Sequence, residues 1–187
     1  MAKTFKDVFP ELFLNNLNKV AQENGVEDLT IEEQEINDDV DIEKLLNDMG
    51  FELKIEPLFG NSGQIHNKEI TINADDVITR QRFSMAHELG HAYRQNREAS
   101  RHNGTINYAP DQLEEEIFAN KFAAQLLMPK KLLVLYTDDI IQEKGFDEDN
   151  LDKSEVDSII QKLASRLNVS LQSMQFRVEN IRLFSTS

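Results

Sequence analysis

Cysteine is absent from the 187 residues of this chain, which excludes a disulfide framework and thiolate chemistry together. Metal ligands must then be histidine and carboxylate. Long apolar runs are missing too, and none approaches the roughly 18 residues of a membrane-spanning helix. Lys3, Lys6, Asp7 and Glu11 interrupt the stretch from Met1 to Asn16, so it has no secretory hydrophobic region. The expectation is a cytoplasmic protein without membrane contact. Positive charge is the third shortage. Against 34 acidic residues stand 20 basic ones, a formal net charge of -14, which repels a phosphate backbone and argues against direct nucleic-acid binding. A basic protein partner would be attracted instead, although surface carboxylates also serve simply as solubilising charge.

What the chain does contain is a complete His-Glu-x-x-His, at His87-Glu88-Leu89-Gly90-His91. On a helix, positions i and i+4 lie one above the other, so His87 and His91 present two imidazole nitrogens to one tetrahedral zinc. Glu88 is rotated by about 100° around the axis, near the metal without being an easy ligand. That suits a general base acting on water. Two buried histidines can fall at this spacing by chance, so a second motif has to decide.

A catalytic zinc usually takes three side chains and keeps one position open. The run from Glu114 to Ala124 is the supplier of the third. Its helical phase puts Glu116, Ala119, Asn120 and Ala123 on one stripe, where two alanines let this helix approach the first closely. Glu116 then reaches the metal, and Asn120 is placed to hydrogen-bond a ligating histidine and fix its tautomer. Glu114 and Glu115 compete for the ligand role, but also read as an acidic first turn suited to the helix dipole.

At these residues the chain resembles the ImmA/IrrE family of metallopeptidases, whose His-Glu-x-x-His helix is followed by Glu-x-x-Ala-Asn-x-Phe-Ala-x-x-Leu-Leu-Met-Pro. Here Glu116 to Pro129 reads Glu-Ile-Phe-Ala-Asn-Lys-Phe-Ala-Ala-Gln-Leu-Leu-Met-Pro. The resemblance spans roughly residues 39 to 183. It implies an α+β, zincin-like fold with a small antiparallel sheet, a central His-Glu-x-x-His helix and several packed helices. It also implies a zinc metallopeptidase, with manganese as the alternative ion, whose substrate is a partner transcriptional repressor of the helix-turn-helix type.

The length suits one domain, with an N-terminal helix and acidic connector (1–38), a core (39–145) and a helical tail (146–187). Asp7 to Asn24 has helical spacing of apolar residues; Val26 to Asp39 reads as an exposed connector; Asp41 caps a short helix ended by Gly50. From Phe51 the period changes to two, and Phe51–Ile55 and Ile70–Ile72 read as antiparallel strands around a turn at Gly60-Asn61-Ser62-Gly63. The zincin resemblance implies that one edge of that sheet lies beside the metal and can pair with an extended substrate peptide. The His87 helix should run from about Thr79 to Arg97. Gly90 inside it suggests a close approach by another segment.

Glu98 to Pro110 reads as a loop on the cleft rim, with His102 and Tyr108 as weak candidates for stabilising an oxyanion and His66 as another. A helix over Lys130–Lys144 ends at Gly145. Ser154 and Ser170 cap the last two helices, the final one turning Leu171, Met174, Phe176, Val178 and Ile181 inward. The turn between them looks like part of a helix-turn-helix, which admits a DNA-binding regulator as a rival reading. Its second helix offers only Arg177 and Arg182 as cations, so packing explains it better. A silent module that binds a repressor without cutting it is the other rival, and the intact Glu88 counts against that.

Overall fold

The computed structural model describes residues 3–95, 98–102 and 110–184, the side chains of 98–102 excepted. Strand β1 (Lys3–Thr4) leads into α1 (Phe5–Val8) and α2 (Glu11–Glu23). The single N-terminal helix expected from periodicity is thus two, because Pro10 has no N–H to donate and drives Phe9 into extended backbone. The acidic stretch that follows is not merely an exposed connector. Ile31 and Ile36 are fully buried, and β2 (Glu35–Ile36) pairs antiparallel with β1. In α3 (Ile42–Asp48) the Asp41 side chain accepts from the Lys44 N–H at 3.0 Å, and Ile42, Leu45, Leu46 and Met49 are buried as their spacing predicts.

The main sheet comprises β3 (Glu52–Glu56), β4 (Asn61–His66), β5 (Glu69–Asn73) and β6 (Glu98–His102), in the order β3-β5-β4-β6. Two of its pairings are antiparallel, β4 with β5 and with β6. The expected antiparallel partners β3 and β5 run parallel, with Leu53 opposite Ile70 and Ile55 opposite Ile72. The difference has a local cause. The hairpin turn sits at Asn67, which takes a left-handed conformation (φ 56°) that asparagine tolerates, whereas the Gly60–Gly63 string leads into β4. Buried Asn73 secures the crossover: its amide accepts from the Leu58 and Asp75 N–H groups and donates to the Leu58 and Asn61 carbonyls, all at 3.1 Å. The stretch read as a rim loop contains β6, at the sheet edge beside β4. His102 lies on β6 with its side chain outside the described residues, as is Tyr108; His66 is exposed at the end of β4.

Helix α4 (Ile78–Tyr93) lies against this sheet and is buried from Gln81 to Ala92 apart from Phe83. It stops short of Arg97, at the Arg94 C-cap, and Gln95 then turns left-handed (φ 64°). Helix α5 (Pro110–Leu127) packs along α4. The N-terminal elements close over the pair through rings: Phe13 lies 5.4 Å from Phe122 and 5.6 Å from Tyr93, and Asn16 donates to the Tyr93 hydroxyl at 2.9 Å. Helices α6 (Lys130–Lys144), α7 (Lys153–Arg166) and α8 (Leu171–Ile181) complete the chain. Asp152 rather than Ser154 caps α7, in a capping box with Glu155, and Ser170 caps α8 as expected. Met174 and Val178 enter the core from α8, but Leu171 and Phe176 do not, being 41% and 59% exposed. Among the described residues no helix is long and apolar enough to cross a membrane.

Candidate metal centre

The approach of α5 to α4 is set by small residues. A Cβ added at Gly90 would lie 3.1 Å from the Ala119 Cα and 3.1 Å from the Phe122 ring, so the segment that requires this glycine is α5. Alanine would gain about 1 kcal/mol in helix propensity, yet α5 would have to retreat by a few tenths of an ångström, carrying Glu116 away from the histidines. If His87, His91 and Glu116 hold an ion, Gly90→Ala is therefore expected to weaken metal affinity without raising the melting temperature, read by chelator competition and thermal denaturation. A more stable protein with unchanged affinity would show slack in the helix spacing.

At that spacing the three expected ligands meet. The Nε2 atoms of His87 and His91 are 3.1 Å apart, and each lies 3.3 Å from one oxygen of Glu116. Two ligands held about 2.0–2.1 Å from a tetrahedral zinc stand about 3.3–3.4 Å from each other, so the donor set fits such an ion in both chemistry and size. His87, His91 and Glu116 form the group able to hold a metal among the described residues. Glu114 and Glu115 do not join it; Arg94 takes both, at 3.5 and 3.4 Å.

Asn120 sits one turn along α5, its Oδ1 3.1 Å from the His87 Nδ1. Since the amide oxygen only accepts, Nδ1 carries a proton, and Nε2 is the nitrogen turned to Glu116. Both histidines are buried and Glu116 is half-buried. Burial works to raise the Glu116 carboxyl, but hydrogen bonds from His87 and His91, reinforced by their charge, outweigh it and hold the group at about 2. Its oxygens stay ionised well below the ordinary carboxylate value of 4.5.

Glu88 follows on the adjacent face of α4, wholly buried. Its Oε1 occupies the space beside Gly63 of β4, where an added Cβ would come within 2.9 Å of it. Gly63 is thus a site residue that sequence reasoning placed in a turn. Its signal was a glycine just ahead of an alternating run, which also marks a strand closely approached by another group.

The family model described as the IrrE N-terminal-like domain of the M78 peptidases matches residues 46–179. The chain belongs to this family. Membership makes it a metallopeptidase-like domain, and the matched span contains the helix pair that holds His87, His91 and Glu116. The first 45 residues, including α2 with its contacts to Tyr93 and Phe122, lie outside the match. A search of curated proteins finds no match.

Proposed function

We propose that this M78-family chain is a metal-dependent endopeptidase that cuts a helix-turn-helix transcriptional repressor, with zinc, or alternatively manganese, held by His87, His91 and Glu116. The observation that carries the reading is the convergence of three donor atoms at tetrahedral spacing next to a buried glutamate outside the donor set. When bound, the ion supplies Lewis acidity, which polarises a scissile carbonyl and makes an adjacent water easier to deprotonate. Glu88 takes the proton from the attacking water and returns it to the leaving amine. Asn120 keeps His87 in the tautomer that a metal ligand needs. Gly63 leaves the Glu88 carboxylate room to turn between water and amine.

The repressor as substrate rests on the family resemblance. The test is incubation of zinc-loaded protein with repressors encoded beside its gene, followed by intact-mass spectrometry. One discrete cut, suppressed by a chelator and restored by zinc, is expected. Repressors that remain whole while the protein is verifiably metal-loaded would count against the substrate.

A further inference from the structure

A groove of about 1020 Å³ opens beside the metal centre, between the start of α4, the middle of α5 and the outer face of α8. Asn120 belongs to both places, lining the groove while touching His87. Phe83, one helical turn before His87 on α4, lies in the groove wall with Met128 and the exposed ring of Phe176. The groove's charge runs against that of the chain. In a protein with 34 acidic residues to 20 basic ones, none of the fifteen residues lining the groove is acidic, and three are Arg80, Lys121 and Arg177.

These cations are not all spent on structure. Arg80 pairs with Asp76 at 3.4 Å, but Lys121 is exposed, and the Arg177 Nε donates to the Met128 carbonyl at 2.9 Å, which fixes its guanidinium in the wall. Among the described residues no carboxylate lies within ion-pair distance of Lys121 or Arg177. Cations beside apolar surface favour a ligand carrying carboxylate and apolar side chains together. A nucleic-acid duplex fits poorly, because it would have to approach a protein of net charge -14.

We infer that this groove receives an acidic segment of the protein substrate, its carboxylates on Lys121 and Arg177 and an apolar side chain against Phe83 and Phe176, so that the chain continues past Asn120 to the metal. The inference deepens the peptidase reading and rests on it for taking the occupant to be a peptide. Specificity would then come from an acidic and apolar sequence beside the cut, read at a distance from the ligands themselves.

The test uses zinc-loaded, full-length Glu88→Gln protein, so that binding is read without cleavage. Fluorescence anisotropy follows a labelled nonapeptide of alternating glutamate and leucine, its glutamine twin, and a labelled DNA duplex. The glutamate peptide is expected to bind about tenfold tighter than the twin, and Lys121→Glu to remove that preference with zinc content unchanged. Lys121→Met, which keeps the stem and drops the charge, should give an intermediate loss. Equal affinity for the two peptides, a preference that survives Lys121→Glu, or tighter DNA binding lost in that variant each overturns the assignment. Failure of the peptidase reading looks different: acid-selective binding persists while the wild type cuts no repressor.

Discussion

Glu88→Gln is expected to lower peptide hydrolysis by about 10²- to 10⁴-fold while zinc content, melting temperature and partner binding stay at wild-type values. Glutamine has nearly the same shape and helix propensity, so it fills the buried volume beside Gly63 without disturbing α4. What it removes is the carboxylate able to hold a proton between water and amine. The group able to hold a metal is untouched, since His87, His91 and Glu116 form it without Glu88. The variant should therefore trap its substrate, visible as co-purification of uncut repressor. If it relieves repression in cells as fully as the wild type, hydrolysis is not the function and the chain acts by binding alone.

Glu116→Ala is expected to lose zinc almost completely, by more than the roughly 10- to 100-fold typical for removing a group that only supports a ligand. Glu116 would supply both the third donor and the one negative charge in the donor set. Its neighbours cannot take over, because Glu114 and Glu115 are turned to Arg94. Elemental analysis of untagged protein decides this, and retained zinc would move the third ligand elsewhere. The Glu116 carboxyl sits at about 2, below its ordinary value of 4.5, so it stays ionised as the pH is lowered through the usual carboxylate range. The sign also holds for stability: the depressed carboxyl favours the fold above its ordinary value, and that contribution disappears as pH falls through about 2.

The clustering of the candidate metal ligands was legible because its geometry is local to two helices. The i, i+4 spacing of His87 and His91 and the phase of Glu116 and Asn120 depend on helical period alone, and α4 and α5 keep that period. The sheet was harder. Alternation identified Phe51–Ile55 and Ile70–Ile72 as strands, but pairing direction depends on where the chain turns, and Asn67 makes a turn without the glycine that usually announces one. Gly63 carried a turn-like residue type for a different reason, the proximity of Glu88. Acidic character likewise hid the burial of Ile31 and Ile36, since two apolar side chains among many carboxylates give no periodic signal. Phe176 erred in the opposite direction. Its spacing placed it near the buried face of α8, but it lies on the groove side.

The close contact of Gly90 with Ala119 has a thermodynamic side. Ligands from α4 and α5 make a bound ion a cross-link between His91 and Glu116, closing the intervening chain, β6 included, into a loop. Closing it once, by coordination, reduces the freedom of the unfolded chain much as a disulfide does in proteins that have cysteine. In a chain with none, binding an ion there would make the free metal concentration of its surroundings a stability variable.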